Sequence, residues 1–189
     1  GKLVADSGAA QKIATGLMKV FGKKYIMWAL VLTAFIVGIP LFYNVGFVLM
    51  VPLIITLSKR YNIPVVLIGV PMLAALSVTH GYLPPHPSPT ALVGQYGADL
   101  GITLLYGFIV AIPAIIVAGP LFALSLKKID CKPLETFAGK DIPDDQLPGM
   151  FTSMFTAFLP VILIAAGTIV KLLTTTENIF TKIIIALSE

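Results

Sequence analysis

The chain has 189 residues, of which 57% are hydrophobic and only 12% are charged. Soluble domains carry about 25% charged residues, so a chain this apolar is unable to cover its own surface in water. Its net charge of +4 comes from basic residues at segment ends rather than from one patch, which disfavours nucleic-acid binding. The composition therefore indicates a membrane protein.

Three long stretches carry almost no charge. No Asp, Glu, Lys or Arg occurs in residues 25–58 or 149–170, and Asp99 is the only one in residues 61–126. Each stretch exceeds the roughly 18 apolar residues that mark a membrane segment. They predict an all-α polytopic membrane protein, set in a lipid bilayer. Because the chain begins without Met and stops inside an apolar run, we expect it to be an internal fragment of a longer protein.

Residues 1–24 differ from the rest of the chain. Ile13 and Leu17, with Val20 and Phe21, follow helical spacing, and basic residues lie on the opposite face. This pattern predicts either an amphipathic helix at the membrane surface or the end of a truncated span, since apolar spacing alone does not separate the two.

Residues 25–58 form an apolar run of unusual length. They are too many for one span of about 20 residues and too few for two spans and a turn. Gly and Pro residues interrupt the run near its middle. Basic residues, which favour the cytoplasmic side, occur at both ends, as Lys23-Lys24 and Lys59-Arg60. We therefore expect a re-entrant helical hairpin with a buried turn at 39–46; one long kinked span is the alternative.

Residues 61–99 contain a second interruption. Four prolines between Pro84 and Pro89 exclude a continuous helix. A broken transmembrane helix with an intramembrane loop at 79–89 keeps the next basic residues, Lys127 and Lys128, on the cytoplasmic side. An ordinary external loop would send them outside.

The remaining segments follow in simple order. We predict a transmembrane helix at 101–126, bent by its prolines and packed through its glycines. A cytoplasmic loop at 127–148, another transmembrane helix at 149–173 and the start of a further membrane segment at 177–189 complete the chain.

Polar side chains near the two interruptions are the candidate site for substrate and coupling ion. Histidine titrates near neutral pH, so His80 and His86 either relay protons or hold the loop in place. Hydroxyl, amide and phenol groups either bind a polyol-like substrate or satisfy free backbone groups. These groups belong to Tyr43, Asn44, Ser77, Thr79, Ser88 and Thr90. Asp99 is more consistent with capping the helix that begins near residue 101 than with binding a coupling ion.

Several classes of site are not predicted. The chain has no nucleotide-binding or nucleophile motif, so we expect no enzyme and no cofactor. Two histidines without a near third ligand predict no metal site. Residues 84–87 match the PxxP pattern of peptides that bind signalling domains, but their apolar flanks disfavour the solvent exposure that such binding needs.

The sequence AALSVTHGYLPPHPSP at 74–89 resembles the signature of the gluconate:proton symporter (gluconate permease) family, and 38–50 and 109–122 resemble its neighbouring segments. The resemblance implies a secondary transporter that imports gluconate or a related sugar acid with protons across the cell (inner) membrane. It also implies an inverted-repeat architecture, in which the remaining half of the transporter completes the site. A homo-oligomer is compatible with the sequence.

Two positions depart from the family pattern. Family members commonly carry an acidic residue in place of Asn44 and glycine in place of Ser88. Because an amide is able to ligate sodium but not to carry a proton, a sodium-coupled hydroxy-acid carrier is one alternative. A membrane receptor or scaffold that only binds the acid is the other.

Overall fold

The computed structural model describes residues 7–129, 131, 142–143, 145–173 and 179–188, and no strand occurs among them. Their fold is all-α, as predicted. The elements in chain order are α1 (Ala9–Phe21), a 3₁₀ turn (Lys23–Tyr25), α2 (Ile26–Gly38), α3 (Tyr43–Tyr61), α4 (Val65–Tyr82), α5 (Pro87–Tyr96), α6 (Leu100–Ile116), a π-helical turn (Val117–Leu121), α7 (Phe122–Ser125), α8 (Met150–Leu173) and α9 (Ile179–Ser188).

Three segments are long and apolar enough to cross a membrane: Val65–Tyr96, Leu100–Ser125 and Met150–Lys171. The first contains both α4 and α5. Leu105 and Ile109 on α6 are more than half exposed, at 60% and 57%. Apolar side chains on the outside of a helix suit contact with lipid, so the structure supports a membrane protein.

Helix α1 packs its small side chains against α2 and α8. Ile13 is fully buried, whereas Val20 is 81% exposed. The buried stripe therefore includes Ala10 and Ala14 rather than the C-terminal residues of the expected pattern, because alanines permit close approach to the neighbouring helices. The position of α1 relative to a membrane surface stays a prediction.

The interruption in the first long apolar run covers only residues 39–42. Helix α2 ends at Gly38, and α3 begins at Tyr43 after the extended residue Phe42. The predicted turn was longer, because the first helical turn of α3 already includes Asn44. Ile39 and Leu41 are 1% and 0% exposed, whereas Phe42 is 55% exposed, so the interruption is only partly buried within the protein.

The interruption in the second run is also shorter than the predicted loop at 79–89. Helix α4 continues to Tyr82, and α5 begins at Pro87. Pro87 and Pro89 fit the first turn of α5, where backbone N–H groups have no helical partner in any case. Only residues 83–86 lie between the two helices, and the peptide bond between Pro84 and Pro85 is cis.

Helix α4 lies at the centre of the fold. It packs against α3, where Gly46 contacts Leu76 and Gly69 contacts Ile54. These contacts run in opposite directions along the two helices, so α3 and α4 are antiparallel.

Helix α6 packs on the other side of α4, again antiparallel to it. Gly107 meets the carbonyl of Tyr82, and Gly119 in the π-helical turn meets Pro71. The predicted packing role of the glycines is thus confirmed. The helical path continues to Ser125 through the π-helical turn despite its prolines, and the predicted bend stays a prediction.

The later segments agree in outline with the sequence. Helix α8 corresponds to the span predicted at 149–173, and α9 lies within 177–189. Most of the loop predicted at 127–148 lies outside the described residues. Cys131 within it is described and exposed.

Candidate functional site

A buried histidine joins the two interruptions. His86 lies at the start of α5 and is only 4% exposed. Its Nε2 lies 2.9 Å from the carbonyl oxygen of Gly38, the last residue of α2. The last carbonyl groups of a helix have no partner within the helix, so this hydrogen bond satisfies a group that would otherwise be buried and unpaired.

The second histidine contacts the first directly. Nδ1 of His80 lies 3.2 Å from Nδ1 of His86, and the ring centroids are 4.6 Å apart. His80 is on the last turn of α4 and is partly exposed, whereas His86 is buried. We call these two residues the histidine pair. It connects the end of α4, the start of α5 and the end of α2.

Aromatic rings from the first interruption lie beside the histidine pair. The Phe42 ring lies 6.4 Å from His80 and 6.5 Å from His86, in edge-on arrangements. Tyr43 lies 6.3 Å from His80 and stacks on Phe47. Phe42 is itself 55% exposed, so the rings border the pair without enclosing it.

Thr79 is fully buried beneath the pair. Its hydroxyl lies within hydrogen-bond distance of the carbonyls of Ala75 and Leu76, at 3.1 and 2.8 Å. A Cβ on Gly38 would collide with the Thr79 hydroxyl. Thr79 therefore lies against the end of α2, with its donor directed into its own helix.

The other hydroxyl and amide candidates have different environments. Ser77, Ser88 and Asn44 are exposed. Thr90 has a buried hydroxyl oxygen that lacks a hydrogen-bond partner among the described residues. A buried hydroxyl without a partner is costly, so Thr90 is the candidate with the most to gain from a bound polar ligand.

Asp99 acts as a helix cap. Its Oδ1 accepts a hydrogen bond of 2.8 Å from the backbone N–H of Ile102, and its carbonyl accepts one from Thr103. The capping interpretation of the sequence is confirmed. Asp99 does not contact the histidine pair in the described hydrogen bonds.

Three residues near the pair were not among the sequence candidates: Gly38, Phe42 and Gly107. Gly38 supplies the carbonyl for His86, Phe42 supplies a ring, and Gly107 lets α6 approach the backbone of Tyr82. Glycine next to a proline-containing break was the available signal for Gly38. Gly107 was predicted to serve helix packing but not to lie near the site, and Phe42 gave no local signal.

No group of three His, Cys, Asp or Glu side chains within the part of the chain that the structure describes is placed to hold a metal ion. What the arrangement offers instead is an imidazole pair, a buried hydroxyl and the ends of two interrupted helices. Such interruptions are typical of secondary transporters, where they bind substrate and coupling ions.

Apolar helices of membrane-spanning length define a polytopic helical membrane protein. The "GntP family permease" family matches residues 1–188, and the chain belongs to that family. Its relatives are named as permeases and transporters, which are not enzymes.

Curated relatives are similar over nearly the whole chain. A high-affinity gluconate transporter of Escherichia coli (strain K12) is 52% identical over 92% of this chain and 40% of its own length. A gluconate permease of Bacillus subtilis (strain 168) is 48% identical over 92% and 40%. The Gnt-II system L-idonate transporter of Escherichia coli (strain K12) is 48% identical over 91% and 39%.

The chain thus spans about two fifths of the length of these curated relatives. No solved structure matches the chain at a significant level.

Proposed function

We propose that the chain is part of a secondary transporter that imports gluconate or a related sugar acid together with protons across the cell (inner) membrane. The observation that carries this proposal is the histidine pair, which joins two helix interruptions in a chain of the GntP permease family. Relatives named for gluconate and for L-idonate support a six-carbon sugar acid as substrate.

The site is proposed to lie between the two interruptions. The N-terminal end of α5 carries a partial positive charge that favours a carboxylate. The buried Thr90 hydroxyl and the exposed Ser77 and Ser88 hydroxyls would bind the hydroxyl groups of the sugar acid. Tyr43 and Asn44 would contribute from the first turn of α3, and Thr79 would hold α2 against α4.

Uptake of labelled gluconate and L-idonate by cells that express the full-length protein tests this function. We expect uptake that a protonophore abolishes, because a proton gradient drives it. No uptake of any sugar acid would overturn the proposal. Binding of the acid without flux in proteoliposomes would instead indicate a receptor.

A re-entrant hairpin at 25–58 is the proposed topology of the first two apolar helices. It is supported by the short interruption between α2 and α3 and by basic residues at both ends of the run. The remaining part of the full-length protein would then supply an inverted second half.

The exposed thiol of Cys131 reports this topology. In full-length protein with any other cysteines replaced, a membrane-impermeant maleimide should label it only in inside-out vesicles. Labelling in right-side-out vesicles would place the loop at 127–148 outside and contradict the hairpin.

A sodium-coupled carrier is the second candidate, favoured by the exposed neutral amide of Asn44 on the first turn of α3. Sodium-independent uptake rules it out. Under either coupling, Asn44→Ala should lower transport without affecting membrane insertion. Wild-type rates in this variant would remove Asn44 from the site.

A further inference from the structure

The hydrogen-bond partners determine where the protons of the histidine pair lie. A carbonyl oxygen only accepts, so Nε2 of His86 carries a hydrogen and donates it to Gly38. In the neutral ring, Nδ1 of His86 is then an acceptor. Nδ1 of His80, at 3.2 Å, must therefore carry the hydrogen between the two rings. By elimination, Nε2 of His80 holds the free lone pair of the neutral pair.

One additional proton enters this arrangement without breaking a hydrogen bond. It binds to the lone pair of Nε2 on His80, and the pair changes from neutral to a charge of +1. The hydrogen bond between the two Nδ1 atoms then becomes charge-assisted, which strengthens it. A second proton would have to bind Nδ1 of His86, where it would oppose the N–H of His80 at the same 3.2 Å separation. The neutral pair therefore takes up one additional proton and no more.

One helix end favours a positive charge at the pair, and helices α2 to α6 provide no acidic counter-ion. The C-terminal end of α2, which is partially negative, contacts His86 through Gly38. No Asp or Glu occurs in helices α2 to α6, and the only basic residues there are Lys59 and Arg60 at the far end of α3. The titratable neighbours are the phenol of Tyr43, 6.3 Å from His80 between ring centroids, and in sequence Tyr82, two positions after His80.

We propose that His80 is the proton-binding residue of the transporter, that His86 positions it, and that the carboxylate of one sugar acid neutralises the charged pair. This inference rests on the proposed function and makes it more specific. One proton accompanies one acid anion, so transport is electroneutral. The proton and the acid each favour binding of the other. The pair is positively charged only when the additional proton is bound, and only in that state does the acid anion meet a cation.

Full-length protein in proteoliposomes tests the role of His80. Glutamine is neutral near physiological pH, so His80→Gln should abolish accumulation of labelled gluconate driven by a pH gradient. Exchange of labelled for unlabelled gluconate requires no net proton movement. In this variant, however, exchange should need more gluconate for its half-maximal rate and should no longer become stronger as the pH falls, because the site no longer gains a positive charge. The matched control is Gly94→Ala on α5, where an added methyl group meets no atom within 4 Å. It should retain both activities.

The positioning role of His86 requires a different substitution. His86→Gln keeps an N–H group able to reach the Gly38 carbonyl but replaces Nδ1, the acceptor for His80, with an amide oxygen at a different position. It should therefore shift the pH dependence of net uptake, whereas a purely structural role would leave the pH profile unchanged. An unchanged profile would overturn this part of the proposal.

A measurement on the unmodified protein does not depend on whether variants fold. Addition of gluconate to purified wild-type protein in weakly buffered, mildly alkaline solution should cause uptake of up to one proton per gluconate bound. Binding without proton uptake would overturn the proposal, as would gradient-driven accumulation by His80→Gln at the wild-type level. Absence of gluconate binding and transport in the wild-type protein would instead refute the proposed function itself.

Discussion

Two proline-containing stretches of the chain behave in opposite ways. Between α4 and α5, four prolines within residues 84–89 end one helix and begin another. In the span that follows, Pro113 lies inside α6 and Pro120 lies inside the π-helical turn, and the helical path continues. Each proline removes one backbone donor, but only closely spaced prolines remove several in succession. An isolated proline is absorbed by a bend or a π-helical turn.

The candidate functional groups occur where the helix is interrupted and not at every proline. The stretch at 83–89 contains His86, which reaches Gly38 of another helix. The stretch around Pro120 has exposed apolar side chains, Val117 and Leu121, as expected of a lipid-facing surface. A candidate site is therefore indicated where the helix is interrupted and its polar groups are buried together.

Among substitutions that act through packing, the largest effect is expected where α6 supports the interruption. In Gly107→Ala, the new methyl carbon would lie 2.9 Å from the carbonyl oxygen of Tyr82. Overpacking of this kind costs about 1–3 kcal/mol and would displace the backbone that leads to residue 83. We expect gluconate uptake to fall roughly tenfold or more, in line with that cost. Equal uptake by Gly107→Ala and Gly94→Ala would contradict the supporting role of Gly107.

A smaller and reversible effect is expected at the contact between α2 and α4. Gly38→Ala places a methyl group against the hydroxyl of Thr79 and should lower uptake and thermal stability. Thr79→Ala removes that hydroxyl, so the double variant should recover part of the loss. Uptake and melting temperature of all four proteins form a double-mutant cycle. Additive losses would show that the two residues do not act on each other.

A modest effect on stability is expected at Asp99. Asp99→Ala removes the cap of α6 and should cost about 1 kcal/mol, whereas Asp99→Asn keeps a capping oxygen. We expect thermal unfolding of the alanine variant at a lower temperature and nearly wild-type proton-driven uptake by the asparagine variant. Loss of proton coupling in Asp99→Asn would give the carboxylate a role beyond the cap.

The smallest effect is expected at prolines that lie within a continuous helical path. Pro120→Ala changes a residue within a helical path that continues on both sides. We expect gluconate uptake within about twofold of wild type, since less than about 0.4 kcal/mol would be involved. A large loss would mean that the π-helical turn matters for transport as much as the interruption at 83–86 does.

Much of the site could be anticipated from local sequence, but its boundaries could not. Prolines and charge-free runs indicated both interruptions, and the motif at 74–89 indicated the family. The interruptions are shorter than expected because Pro87 and Pro89 fit the first turn of α5, and because α3 begins before Asn44. Helix ends depend on caps and packing that a hydrophobic pattern does not reveal.

The sequence by itself determined the membrane class, the all-α fold, the family and the approximate places where helices stop. These properties follow from apolar run length, charge placement and proline chemistry, all of which act within a few residues. Only the tertiary structure decided that Nε2 of His86 meets the carbonyl of Gly38, 48 positions earlier, and that His80 meets His86 through their Nδ1 atoms. Such contacts depend on how α2, α4 and α6 pack around glycines, which no local rule specifies.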